Sequence, residues 1–186
     1  MGDRGPIQNL MIRVRELDPS NLEQEAATVA DLAKVIWTEH YTPMIGAEQV
    51  SYMLGRFQSA AQIREDIEQR GFRYWLAEDG QEPVGYCGAV AEAERLFLSK
   101  LYILHDHRGR GVGRRFLGQL EQWCCEAGLP RIQLTVHKAN ADSIRAYEHF
   151  GFTNVADIEA SIGEGFIMDD YLLDKPVHKT VRQEDR

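Results

Sequence analysis

The sequence predicts an α/β protein: a single domain built on a mixed β-sheet with helices on both faces. Three observations predict it. Strand-like stretches with a period near two and helix-like stretches with a period near 3.6 follow each other in the order β-ααα-β-β-β-α-β-α-β-β. An apolar run, Leu96-Phe97-Leu98 and then Leu101-Tyr102-Ile103-Leu104, leads at once into Arg-Gly-Arg-Gly-Val-Gly and a helical segment. No repeat, low-complexity tract or linker divides residues 11–175, so residues 1–10 and 176–186 are expected to be flexible ends of one domain of a 186-residue chain.

The elements are justified in turn. Met11–Leu17 alternates as a first strand and is closed by Asp18-Pro19. Ser20 or Asn21 can cap a helix that carries Leu22, Ala26, Val29, Ala30, Ala33, Ile36, Trp37 and Tyr41 on one face, and Thr42-Pro43 is expected to break it. Ala47–Phe57 is a second helix. A third starts at Ser59, three residues before Gln62 as in a capping box, and stops at Gly71. Phe72–Glu78 and Pro83–Ala91 form a hairpin around Asp79-Gly80. After the fourth strand and the glycine loop, a helix runs to Ala127, stopped by Gly128 and Pro130. Arg131–Val136 is a strand, and Asn140–Ser143 opens a short helix with Ile144, Tyr147 and Phe150 on one face, ended by Gly151. Thr153–Ile162 and Phe166–Leu173 complete the sheet around Gly163.

Composition narrows the class of function. Apolar residues make up 44% and charged residues 27%, as in soluble globular proteins. With 21 basic against 29 acidic residues the net charge is −8, which disfavours broad nucleic-acid binding and suits a cationic partner or simple solubility. Cys87, Cys124 and Cys125 form no disulfide framework and no metal-ligand spacing, so no metal is expected and a reducing compartment is. No signal-like or membrane-length apolar segment occurs, and Pro6 replaces the Ser or Thr of a myristoylation signal; the expectation is a cytoplasmic protein with no membrane partner.

The chemistry sits in the glycine loop. Strand, glycine loop and helix present unpaired backbone N–H groups and the positive end of a helix dipole to an anion. Gly109, Gly111 and Gly113 remove side chains that would keep a phosphate from that backbone. The spacing fits neither the G-x-G-x-x-G dinucleotide fingerprint nor a P-loop ending in G-K-[ST]. It does fit the Arg/Gln-x-x-Gly-x-Gly/Ala signature, as Arg108-x-x-Gly111-x-Gly113. Two further segments agree: Val136-His137-Lys138-Ala139-Asn140, and Ser143-x-x-Ala146-Tyr147-x-x-x-Gly151-Phe152. With these three motifs, residues 11–175 resemble the GNAT superfamily of N-acetyltransferases.

The resemblance implies a fold in which the fourth and fifth strands splay apart and the pantetheine of acetyl-CoA, the co-substrate, fills the gap like an added strand. Main-chain groups of Leu101, Tyr102 and Ile103 would hold it. Arg108, Gly109, Arg110, Gly111, Val112, Gly113 and Arg114 would form the pyrophosphate loop, with charge from Arg110 or Arg114. Asn140 would bond the pantetheine arm or cap its helix. Tyr147 stands where the family has a general acid for the departing thiolate, its alternative being a core aromatic beside Ile144 and Phe150. Where many relatives carry a Glu base in the fifth strand this chain has Thr135, leaving His105, Asp106, His137, Glu92 and Glu94 as candidates.

For the acceptor, Val35–Pro43 with the two following helices is similar to PaiA-like diamine acetyltransferases, which implies a polyamine site lined by Glu39, His40 and Tyr41. Direct attack in a ternary complex is then the expected reaction. A protein or peptide N-terminal acetyltransferase, a small-molecule detoxifying enzyme and a non-catalytic acetyl-CoA sensor are the alternatives. Homodimers are common in the superfamily, and nothing in the sequence fixes one.

Overall fold

The structure is a computed structural model and describes residues 12–178; expectations for residues 1–11 and 179–186 lie outside the described residues. The elements are β1 (Arg13–Glu16), α1 (Leu22–Ile45), α2 (Ala47–Phe57), α3 (Ala60–Gln69), β2 (Phe72–Asp79), β3 (Glu82–Ala91), β4 (Leu96–Ile103), α4 (Val112–Ala127), β5 (Arg131–His137), α5 (Ala141–His149), β6 (Thr153–Gly163) and β7 (Phe166–Pro176). One seven-stranded sheet has the order β1-β2-β3-β4-β5-β7-β6. All neighbours are antiparallel except β4 and β5, which run parallel and are joined by the α4 crossover.

Each sheet face has its own core. On one face Val29, Ala33, Ile36 and Trp37 of α1, Val50 and Met53 of α2 and Ile63 of α3 pack on Tyr74, Leu76 and Tyr86. On the other, Phe116, Leu117 and Leu120 of α4 cover Leu96, Leu98, Ile132, Leu134 and Val136, with Ile144 and Tyr147 of α5 and Phe150 at its end at the margin. The strict alternation of buried Ile132, Leu134 and Val136 leaves Gln133, Thr135 and His137 on the α1 face of β5. Among the described residues, no helix is long and apolar enough to cross a membrane.

Two boundaries depart from expectation. Pro43 does not break α1, which continues to Ile45. Proline forfeits only one bond, the one to the carbonyl four residues back. Gly46 at φ 84° then closes the end by donating its N–H to the Thr42 carbonyl at 3.0 Å. Burial compensates, since Ile45 packs against the same core as Tyr41. At the other end β7 passes Leu173 to Pro176, and the Val177 N–H donates to the Pro130 carbonyl at 2.8 Å, so residues 174–177 are part of the fold.

The α3 start is a genuine Ser59 cap, whose hydroxyl accepts from the Gln62 N–H at 3.2 Å. The Gln62 side chain does not complete the reciprocal box. It donates instead to Asp66 at 3.0 Å. Asp66 is 1% exposed and also accepts from Arg70 (2.8 Å), the Tyr74 hydroxyl (2.8 Å) and buried Lys100 (3.3 Å). Burial pushes the Lys100 ammonium down from its ordinary range while Asp66 opposes that shift. Removing Asp66 would strand a buried cation, so Asp66→Ala is expected to cost about 3–5 kcal/mol in urea unfolding. A loss under about 1 kcal/mol would place this cluster with ordinary surface pairs.

Candidate active site

The site begins where β4 and β5 part. The two strands pair only at Leu96 opposite Ile132 and Phe97 opposite Gln133. On the other side of β4, the Leu104 N–H donates to the Val84 carbonyl at 2.9 Å, and the register sets Tyr102 opposite Tyr86. Antiparallel alternation therefore commits the main chain of Tyr102 to β3 and turns the N–H and C=O groups of Leu101 and Ile103 into the gap. Of the three residues expected to offer main chain, Leu101 and Ile103 turn it toward the gap. Tyr102 contributes its ring instead, packed at 5.3 Å from Trp37, 5.3 Å from Tyr86 and 6.2 Å from Tyr41.

Below the gap lies the glycine loop. Gly109 (φ 72°) and Gly111 (φ 82°) occupy the left-handed region, and a Cβ at either would meet no protein atom within 4 Å. The first bond of α4 runs from the Arg115 N–H to the Gly111 carbonyl, and no side chain caps the helix. The N–H groups of Val112, Gly113 and Arg114 thus remain unpartnered by the helix at its positive end. Gly113 differs from the other two: it faces the Phe150 ring, and a Cβ there would lie 3.4 Å from it, an ordinary contact that does not demand glycine. Val112 is buried and anchors the loop to the core. Arg110 does not face the cleft; it pairs at 2.9 Å with Asp79, which His107 also approaches at 3.4 Å, and so staples the loop to the β2–β3 hairpin. Arg108 and Arg114 line the cleft.

Above the gap, α1 and α5 meet. Ile36, Trp37, His40 and Tyr41 line the cleft, while Glu39 is exposed on the opposite side of the helix. At about 100° per residue, Ile36, Trp37, His40 and Tyr41 span one arc of the helix, and Glu39 falls about 130° from its centre. Asn140 serves as cap and bridge together. Its Oδ1 accepts from the Ser143 N–H (3.3 Å) and lies 3.3 Å from His40 Nε2, and its Nδ2 donates to the Tyr41 hydroxyl at 3.4 Å. The Arg108 guanidinium lies 3.5 Å from His40 Nδ1 and donates to the Ile103 carbonyl at 3.1 Å. These contacts assign the proton of His40 to Nε2 and make Nδ1 the acceptor. Burial first, then Arg108, lower the affinity of the ring for a second proton.

Tyr147 projects from α5 into the same cleft and packs edge-on to Phe152 at 5.5 Å. Its hydroxyl makes no hydrogen bond among the described residues. Burial, with smaller contributions from Tyr41 and Cys87, pushes its pKa well above the ordinary phenol range, so it keeps its proton at working pH. Tyr41, pushed up to about 12 chiefly by burial, does the same.

The expected bases fare differently. His105 and Asp106 are exposed and pair with each other at 3.1 Å. Glu92 is tied to Arg95 at 2.6 Å, and Glu94 is exposed. His137 lines the cleft, but its Nδ1 accepts from the Ala139 N–H at 3.1 Å. Sequence reasoning missed Asp170, which lines the cleft at 4% exposure. The signal for it was Asp169-Asp170 inside an otherwise apolar strand, Phe166–Leu173.

These residues surround one continuous cleft of about 1310 Å³, running from the glycine loop past the parted strands to the α1–α5 junction. Residues 32–152 match the model of the acetyltransferase (GNAT) family. The chain belongs to that family. Thialysine N-epsilon-acetyltransferase of Caenorhabditis elegans is 26% identical over 106 residues, covering 54% of this chain and 66% of that protein. An uncharacterized N-acetyltransferase of Escherichia coli is 30% identical over 98 residues, covering 50% of this chain and 59% of that protein. The chain thus spans somewhat less than two thirds of these relatives. The crystal structure of PaiA N-acetyltransferase from Thermoplasma acidophilum, in complex with coenzyme A, has a similar fold: TM-score 0.73, 18% identity, 89% of this chain and 99% of that one.

The residues present fit acetyl-CoA, the acyl donor of the family. Open space over Gly109 and Gly111, free N–H groups at the α4 start and an unpaired edge on β4 match a pyrophosphate joined to an extended amide-bearing arm. Space over Gly111 is separable from its backbone conformation, because Asn tolerates the left-handed region. Gly111→Asn is therefore expected to remain folded and to weaken coenzyme A binding at least tenfold by calorimetry. Unchanged affinity in the folded variant would show that the loop is only a turn.

Proposed function

We propose that this protein is an acetyl-CoA-dependent N-acetyltransferase that acetylates a primary amine of a small molecule, a polyamine in the first instance, by direct attack in a ternary complex. The observation that carries the reading is the free Tyr147 hydroxyl, which shares one cleft with the open edge of β4 and the anion-binding start of α4. Acetyl-CoA supplies an activated thioester. The protein holds it by the N–H groups of the loop and by the Leu101 and Ile103 main chain. The N–H groups facing the gap stabilise negative charge that develops on the acyl oxygen. Tyr147, held protonated, gives its proton to the departing sulfur. A second proton leaves the attacking nitrogen as the amide forms and restores the phenol.

The acceptor arm of the cleft supports a cationic substrate. Trp37, Tyr41 and Tyr102 present aromatic surface suited to an ammonium group, and Asp170 adds a carboxylate with no ion-pair partner among the described residues. A thialysine N-epsilon-acetyltransferase, by its name, acts on an amine at the end of a flexible chain, and its likeness to this chain agrees with such an acceptor. His40 and Tyr41 are assigned to the acceptor wall, and Glu39 is not.

Free-thiol release from acetyl-CoA against spermidine, spermine, putrescine, amino acids, an aminoglycoside and short peptides tests the reading. Turnover is expected with the polyamines, and Tyr147→Phe is expected to lower kcat about 100-fold with acetyl-CoA affinity unchanged. Turnover confined to peptides would overturn the acceptor assignment, and an undiminished Tyr147→Phe rate would remove the phenol from the chemistry.

A further inference from the structure

We propose that Asp170 is the general base of the reaction, a carboxylate supplied from β7 to the position that Thr135 leaves without one. This rests on the N-acetyltransferase reading above and deepens it. The β5–β7 register sets His137 opposite Asp170 and Thr135 opposite Leu172. Directly opposed residues point to the same face, and so do residues two apart along a strand, so Thr135, His137 and Asp170 share the α1 face of the sheet. The other face of these strands carries core residues Leu134, Val136, Tyr171 and Leu173. All three line the cleft together with Tyr41 and Tyr147. A carboxylate on β7 at this register stands one strand over from a β5 carboxylate at Thr135, near enough to reach the same amine directly or through one water.

Asp170 is unlike the other buried acids among the described residues. Asp66 is held by Arg70 and Lys100, and Asp174 accepts from Gln133 at 2.8 Å and pairs with Arg131 at 3.4 Å. Asp170, 4% exposed, forms no ion pair among the described residues. A folded protein gains nothing from a buried carboxylate without a cation, which points to one that arrives with the substrate. The groups facing it are the Thr135 hydroxyl and His137 of β5, Lys138 beyond that strand, neighbouring Asp169, and Tyr41 of α1. Burial dominates and raises its proton affinity above the usual aspartate range; Thr135, His137 and Lys138 oppose the shift, and Asp169 adds to it. A raised carboxyl is better matched to taking a proton near neutral pH than an ordinary one.

In the step proposed, an alkylammonium gives one N–H proton to the Asp170 carboxylate. The freed lone pair forms the bond to the acyl carbon, and the carbon–sulfur bond breaks with its electron pair on sulfur. Tyr147 protonates that sulfur, the second nitrogen proton returns to the phenol, and Asp170 releases its proton to solvent. The sum is ammonium plus thioester giving amide, free thiol and one proton.

The test compares wild type, Asp170→Asn and Asp170→Glu with spermidine across pH, beside acetyl-CoA affinity as a check of the fold. Asp170→Asn is expected to lose about 100-fold in kcat/KM at neutral pH, mostly in kcat, with acetyl-CoA binding intact. Its deficit should shrink as pH approaches the pKa of the amine, where solvent has already removed the proton. Asp170→Glu should recover much of the rate and retain the acid limb set by the carboxylate, whereas Asp170→Asn should keep only the rise set by the amine's own deprotonation. A variant equal to wild type at neutral pH overturns the proposal. So does a deficit constant with pH and confined to KM, which would make Asp170 an ammonium anchor. Should Asp170→Asn fail to bind acetyl-CoA, Asp170→Glu decides: a folded Glu variant without an acid limb also overturns it. Absence of spermidine turnover in the wild type would instead overturn the polyamine acceptor on which this inference rests, and the inference with it.

Discussion

The structure depends on a pairing that is not made. β4 and β5 are parallel neighbours that hydrogen-bond at two positions and then separate, although each is well paired on its outer side, to β3 and to β7. A sheet interior does not ordinarily leave strand groups unpaired, because a buried peptide group without a partner costs about 1–3 kcal/mol. The Leu101 groups and the Ile103 N–H escape that cost by facing a cleft that water or a ligand can fill, and the Ile103 carbonyl by accepting from Arg108. An extended ligand with amide groups can complete the ladder, and the protein pays for it only in a sheet weakened at its centre.

Packing flanks the opening on both faces. On the α1 side Trp37, Tyr41, Tyr86 and Tyr102 form a ring cluster over the β4 end. On the other, Gly113 of α4 faces the Phe150 ring just past α5. Arg108 ties the halves together, bonding the Ile103 carbonyl and meeting His40, which leans on Asn140. The signature arginine is thus a structural brace between the open edge of β4 and α1. The same economy appears in Arg110, which spends its charge on Asp79 to hold the loop.

Most of the fold was legible in the sequence because its signals are local. Ser59 announced a cap, Gly128 and Gly151 announced helix ends, and the period-two run Arg131–Val136 announced a strand with one covered face. Pro43 misled, because tertiary burial of Ile45 and the Gly46 closure outweigh one lost helical bond. In the cleft, the positions of Gly109 and Gly111 were legible because a left-handed backbone favours glycine, and that of Tyr147 because it follows the short helix's face. Glu39 and Arg110 were not placed correctly, since motif proximity says nothing about the side of a helix or a long-range partner such as Asp79. Asp170 was invisible for a stronger reason: its neighbourhood with Thr135 exists only in the β5–β7 register, 35 residues apart in the chain.

Residue-resolved amide exchange with and without coenzyme A tests the central claim, that the open edge of β4 is the ligand's binding strand. Coenzyme A should slow exchange at Leu101 and Ile103 and leave Tyr102, already bonded to β3, nearly unchanged. Equal protection of all three, or none at Leu101 and Ile103 while the ligand is bound, would contradict the account.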